Sequence, residues 1–316
     1  MQPRLGDLLP TMLLGLLAVF CHRHLPAGET QSSPASKSTK PAPMRAPVPT
    51  HGRTYTIAGL PHQDYTLDAT YEHGAIKQLE CAGTIGFIIQ PKGVVDEQRR
   101  WVWISPMYLA TNAKDRKGVA HRYYVEKLLA KGFHIVGIDV GTSCGSPKGA
   151  EVFNQFYQLL VKEYRLHPKA RMIGQSNGGL ITYGFAFRHP EKVDRILGIL
   201  PATDLRSWPG LDRLSARHFV PEGLAYNLNR ADWEQRMAEF NPIDHLAPLA
   251  KAGVKLYHIH GTADDIVPLE PNTGEFARRY QALGGDVQVE IIKDGTHGAP
   301  QKAFFESQRA LEFLLQ

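Results

Sequence analysis

Hydrophobic and polar positions along this chain fall into three regimes. Leu8 to Phe20 is one apolar stretch, Pro26 to Thr50 carries no hydrophobic period, and from about Arg53 short apolar runs alternate with helical spacing. In the third regime strands come first. Tyr65 to Tyr71 alternates, Thr84 to Gln90 is a β-rich apolar run ended by Pro91 and Gly93, and Arg100 to Ser105 sets Val102 and Ile104 against Trp101 and Trp103. Val119 to Ala130 then has helical spacing and stops at Gly132. Phe133 to Val140 is nearly continuous apolar sequence, as expected of a strand buried on both faces. Val152 to Tyr164 predicts a helix, Arg171 to Gly174 a strand, Leu180 to Phe187 a helix and Arg195 to Leu200 a buried strand. Lys255 to His260, Thr273 to Leu283, Val287 to Ile292 and Phe304 to Leu315 continue as strand, helix, strand and amphipathic helix. Such alternation implies an α/β protein with a mostly parallel sheet and helices on both faces.

Residues 205–251 break the rhythm. They mix Pro, Gly and Arg with one helical piece, Trp233 to Phe240. An insertion of this size after a strand is a common place for a cap facing substrate. The N-terminal apolar stretch follows Arg4 and has the length of a secretory core, short for a membrane span. A cleaved signal, lipid attachment at Cys21 and an uncleaved signal-anchor all fit it, although Phe20 stands where a lipid-attachment motif wants a small residue. The expected organisation is residues 1–25 as export signal or anchor, 26–52 as a Ser/Pro/Lys-rich linker, and 53–316 as the folded domain. The expected location is outside the cytoplasm: secreted, periplasmic or membrane-anchored.

Composition adds limits. A 316-residue chain with 43% hydrophobic residues can bury one sizeable core. The net charge of +5 comes from scattered residues, without the basic run and interleaved aromatics of a nucleic-acid groove, so no such partner is expected. Outside the export segment the cysteines are Cys81 and Cys144, which fit one disulfide or two thiols equally.

The candidate chemistry begins at Gly174-Gln175-Ser176-Asn177-Gly178, which follows a strand and opens a helix. A sharp turn there would lift the Ser176 hydroxyl above the sheet, with the helix N-terminus facing any developing oxyanion. A serine needs a base to take its proton. His297, in Asp294-Gly295-Thr296-His297-Gly298, lies between the last strand and the last helix. Its position and order single it out among fourteen histidines, and imidazole has the right pKa for the task. The loop His260-Gly261-Thr262-Ala263-Asp264-Asp265-Ile266-Val267-Pro268 offers Asp264 as the acid that orients His297, with Asp265 as rival. Ser, acid and His in that order are the order of α/β-hydrolases.

With these three motifs the chain from about Trp101 onward resembles the α/β-hydrolase superfamily, in particular its prolyl-oligopeptidase-like and secreted esterase branches. The resemblance favours Asp264 over Asp265 by the spacing before Val267-Pro268. It implies two backbone N–H donors for the oxyanion. One is Asn177, after the nucleophile. The other lies in the loop Ile104-Ser105-Pro106-Met107-Tyr108, similar to that of cutinase-like polyester hydrolases, and is Tyr108 with Met107 as rival. No cofactor or metal is implied. The reaction expected is hydrolysis of a carboxylic ester, small or polymer-borne, because the chain is short and lacks a propeller-like N-terminal domain. A peptidase acting on short peptides is the alternative, and a non-catalytic binding protein on a hydrolase scaffold a third. Membrane contact is expected only through an N-terminal anchor, and the oligomeric state is not readable.

Three features carry less. His258-x-His260 puts two rings on one strand face, and the expectation is packing under the acid loop in preference to a metal pair. The Gly-rich segment from Gly141 to Ser146 lacks a Lys-Ser/Thr pair and is expected to wall the cleft. Arg206, Arg213 and Arg217 could clasp an acidic substrate or form a solvated face.

Overall fold

Alternate residues of the central strands enter two different cores. In the computed structural model, which describes residues 71–106, 121–141, 143–215, 226 and 228–316 with the backbone of 56–57 and 60–61, eight strands form one sheet. They are β1 (Gly74–Cys81), β2 (Thr84–Pro91), β3 (Trp101–Ser105), β4 (His134–Ile138), β5 (Ala170–Gln175), β6 (Val193–Ile199), β7 (Lys255–Gly261) and β8 (Val287–Ile292). Their order is β8-β7-β6-β5-β3-β4-β2-β1. β2 pairs antiparallel with β1 and β4, and all other pairs are parallel.

Helices cover both faces. Trp101, Trp103, Met172, Ile196 and Leu256 pack with α2 (Pro147–Glu163), α3 (Asn177–Ala186) and later helices α6 (Leu246–Lys251) and α7 (Glu275–Ala282). Val102, Ile104, Ile173, Leu197 and Ile259 pack with α1 (Arg122–Ala130), α8 (Gln301–Phe305) and α9 (Gln308–Leu315). Each strand supplies both cores because its side chains alternate across the sheet. A third cluster joins Leu205, Leu214 of α4 (Leu211–Ser215), and Trp233 and Met237 of α5 (Arg230–Phe240) to Leu180 of α3 and Val267. Within residues 205–251, α4 and α5 thus pack over α3, whereas α6 covers the sheet itself.

Several element boundaries differ from the periodicity. Of the alternating stretch that ends at Tyr71, residues 65–70 lie outside the described residues and Tyr71 has no regular structure; β1 is a strand that the periodicity did not mark. β1 is an edge strand with one covered face, so its pattern is faint and charged residues interrupt it. α2 starts at Pro147, five residues before Val152. Ser146 caps it by accepting the Gly149 N–H at 3.0 Å, and proline suits the first helical position. The last helix is two, because Ser307 ends one and caps the next through the Ala310 N–H at 3.2 Å. Periodicity runs across the break because Phe304, Phe305, Ala310 and Leu311 all face one core.

Candidate active site

Ser176 sits between β5 and α3 with φ +51° and ψ −123°, a conformation disfavoured for any residue with a side chain. The surrounding packing holds it there. Its N–H donates to Ile199 O at 3.0 Å, and its carbonyl accepts from Gly179 N at 2.9 Å and Ala202 N at 3.0 Å. The glycines around it are required by close approach. A Cβ on Gly174 would lie 2.9 Å from Gly178 O, and one on Gly178 would collide with the Ser105 carbonyl. The first turn of α3 therefore lies against the C-terminal end of β3. α3 is buried at every residue except its first, Asn177, whose N–H has no acceptor inside the helix.

His297 Nε2 is 2.9 Å from Ser176 Oγ, and His297 Nδ1 is 2.8 Å from Asp264 Oδ2. Two loops hold this geometry. Ala263 N–H donates to Gly295 O at 2.9 Å, and Asp294 N–H donates to Thr262 Oγ1 at 2.8 Å. The loops after β7 and β8 are thereby stitched together. The Asp264 carboxylate is fully buried, while Asp265 is exposed. Oδ1 of Asp264 accepts the Ile266 and Val267 N–H groups at 3.1 and 2.9 Å. Burial would raise its pKa, but hydrogen bonds from His260, His297 and the Val267 amide outweigh burial and hold it below the usual carboxylate range. Asp264 is thus an anion aimed at His297, and His297 is aimed at Ser176.

The other expected residues fall as follows. Tyr108, Met107, Arg217, the export segment and the linker lie outside the described residues. Arg206 is paired with Asp204 and Asp244, so its charge is met within the protein. Arg213 is exposed and lines a cavity of about 470 Å³ with Arg206, Trp208, Arg230 and Ile266. Cys81 and Cys144 are free thiols, and burial pushes Cys144 up to about 12. In the segment after Gly141, Gly145 lies against the backbones of Leu180 and Gly184 of α3. His260 does pack beneath the acid loop, with Nε2 2.9 Å from Val267 O and 3.4 Å from Asp264 Oδ2. Its partners Thr273, His258 and Tyr183 carry no signal in the sequence beyond the His-x-His spacing. Among the described residues no three His, Cys, Asp or Glu side chains cluster as a metal site, and no helix is long and apolar enough to cross a membrane.

Comparison with known proteins agrees with this architecture. A puromycin-hydrolysing peptidase of Mycobacterium tuberculosis superposes with a TM-score of 0.56 at 16% identity, over 76% of this chain and 38% of its own. The acylaminoacyl peptidase of Pyrococcus horikoshii gives 0.54 at 16% identity, over 77% and 40%. A truncated carbohydrate esterase from gut microbiota gives 0.55 at 16% identity, over 80% of this chain and 98% of its own. The chain thus spans about two fifths of the length of those peptidases. No curated protein sequence matches it. Residues 153–316, more than half of the chain, match the prolyl oligopeptidase family, and they hold all three of Ser176, Asp264 and His297. The protein therefore belongs to the prolyl oligopeptidase family and is built on the α/β-hydrolase fold.

Proposed function

We propose that this protein hydrolyses carboxylic esters through an acyl-enzyme intermediate on Ser176. The observation that carries the reading is the continuous hydrogen-bond chain from Ser176 Oγ through His297 to Asp264. Ser176 Oγ attacks the ester carbonyl carbon while His297 Nε2 takes its proton. The carbonyl oxygen becomes an oxyanion facing the Asn177 N–H, with the Tyr108 N–H as second donor. Collapse breaks the bond to the alkoxy oxygen, and His297 returns the proton to the leaving alcohol. Water then enters and attacks the acyl carbon while His297 takes its proton; collapse breaks the bond to Ser176 Oγ, His297 returns the proton to that oxygen, and the acid is released. Asp264 keeps the Nδ1–H of His297 directed at itself and stabilises the imidazolium formed in each half-reaction.

The ester reading is supported by the mutual coverage with the carbohydrate esterase, which extends over nearly all of that protein. Peptide hydrolysis is the second reading, supported by the family match and by the peptidases that share the fold. Labelling with a fluorophosphonate probe tests the nucleophile. Wild type labels and Ser176→Ala does not; retained labelling in the alanine variant refutes the assignment. Rates on p-nitrophenyl esters of graded acyl length, set against peptide anilides, then separate the two readings. The N-terminal segment is proposed to direct export, which fractionation of expressing cells would test.

A further inference from the structure

Behind the acid loop, four buried side chains continue the hydrogen-bonded line away from Asp264. His260 Nδ1 is 2.8 Å from Thr273 Oγ1. The same Oγ1 is 3.0 Å from His258 Nδ1, and His258 Nε2 is 2.6 Å from the Tyr183 hydroxyl. None of the four is more than 1% exposed. They come from three elements: Tyr183 from α3, the histidines from β7, and Thr273 from the turn before α7.

Donor and acceptor counting gives this line one direction. The two groups facing His260 Nε2 are the Asp264 carboxylate and the Val267 carbonyl, and both only accept. Nε2 therefore carries the hydrogen. In a neutral imidazole Nδ1 must then accept, so the Thr273 hydroxyl donates to it. That spends the one hydroxyl proton, and Thr273 Oγ1 must accept from His258 Nδ1–H. His258 Nε2 is left to accept from Tyr183 O–H. Burial pushes His258 down to about 3, so His258 is neutral and the pattern closes without a surplus proton.

We infer that His260 is a positioning residue for Asp264, and that Tyr183, His258 and Thr273 form a one-way hydrogen-bond file that locks His260 with its hydrogen on Nε2. The inference rests on Asp264 orienting His297 as proposed above. His260 acts at two points. Its Nε2 lies 3.4 Å from Asp264 Oδ2, and its Nε2–H pins the Val267 carbonyl, whose own N–H holds Asp264 Oδ1. The opposite tautomer would set a lone pair against two acceptors and loosen both holds. The titratable groups facing Asp264 are His260 and His297; those facing His258 are His260 and Tyr183, with Tyr280 of α7 behind Tyr183.

Two experiments test it. In wild-type protein, long-range proton–nitrogen NMR of the imidazoles at pH 7 should find His258 with its hydrogen on Nδ1 and His260 with its hydrogen on Nε2. The reversed pair, or a doubly protonated His260, overturns the file. In kinetics, His260→Leu removes a donor from the carboxylate and leaves its charge less compensated. Asp264 then holds the His297 proton more strongly, so the acid limb of the kcat/KM profile moves to higher pH and kcat falls more than KM changes. His260→Gln, which can keep an N–H at that place, returns the limb toward wild type. Tyr183→Phe removes the first donor, lets His258 take its hydrogen on Nε2, and moves the limb the same way by less. An unmoved limb in both His260→Leu and Tyr183→Phe overturns the positioning role. Should His260→Leu fail to fold, the isosteric Tyr183→Phe and the wild-type spectrum still decide. Ser176→Ala separates the two levels: persistent probe labelling defeats the nucleophile, whereas the tautomers are read without turnover.

Discussion

Replacing Gly179 by alanine adds one methyl group to the first turn of α3. That methyl would lie 2.5 Å from Ala202 O, 2.8 Å from Pro201 Cβ and 2.9 Å from Ala202 N, where ordinary contact begins near 3.4 Å. Relief requires a displacement of about 0.9 Å along the worst contact. The segment opposite cannot yield freely. Its Ala202 N–H holds the Ser176 carbonyl, and the next residue, Thr203, is bonded through its N–H to Asn272 Oδ1 at 3.0 Å. The start of α3 must therefore move, and Ser176 with it. Glycine to alanine inside a helix favours folding by about 1 kcal/mol. Overpacking of this kind costs about 1–3 kcal/mol, so the clash wins. A reacting group displaced by about 1 Å loses on the order of a hundredfold in rate, about 2.7 kcal/mol of barrier. The assay is kcat/KM on a p-nitrophenyl ester beside urea unfolding, with Gly93→Ala as control because nothing lies within 4 Å of its added methyl. The expected result is a large activity loss and a lowered midpoint for Gly179→Ala alone. A Gly179→Ala enzyme with wild-type kcat/KM and an unchanged midpoint refutes the reasoning.

Asp264→Asn should lower kcat by about ten-thousandfold with little change in KM, as loss of the orienting acid does in serine triads, whereas exposed Asp265→Asn should leave kcat alone; steady-state kinetics checks both. Burial holds His121 near 4 and His258 near 3, against about 6.5 in the unfolded chain. Between those values the unfolded chain binds protons that the folded protein does not. Stability is therefore full above about pH 6.5 and falls as the pH is lowered, by up to about 1.4 kcal/mol per unit for each histidine. His121→Phe should remove one such share, read as a smaller difference between urea midpoints at pH 7 and pH 5. Cys144, buried and with a raised pKa, should react with a thiol reagent only after unfolding, measured by labelling at pH 8 with and without denaturant.

How far each element was legible depends on how many faces it buries. β2, β4 and β6 lie inside the sheet, so their apolar runs stand out whatever the neighbours are. β1 covers one face at the sheet edge, and its Lys77 and Glu80 dilute the pattern to the point where periodicity does not mark it. The starts of α2 and α9 depend on single capping serines, Ser146 and Ser307, and a cap has no periodicity to detect. Ser176, Asp264 and His297 were legible because each lies in a Gly-containing loop directly after a strand, a local arrangement that a short stretch of sequence carries in full.

What the chain order determined by itself is the alternation of strand and helix, the parallel character of the sheet, and the three loops that carry Ser176, Asp264 and His297. Their meeting is a tertiary matter. Ser176 and His297 are 121 residues apart, and the two loops opposite Ser176 meet only because β7 and β8 are neighbours with a register that aligns Gly261 with Ile292. The choice of Asp264 over Asp265 was likewise decided by which carboxylate the loop turns inward, away from water and toward the imidazoles of His260 and His297. The file from Tyr183 to His260 is the clearest case. Its members come from α3, β7 and the turn before α7, and only close packing puts one threonine hydroxyl between two imidazoles. Hydrophobic period is a property of neighbours in sequence, whereas hydrogen-bond direction depends on groups that folding alone brings within about 3 Å.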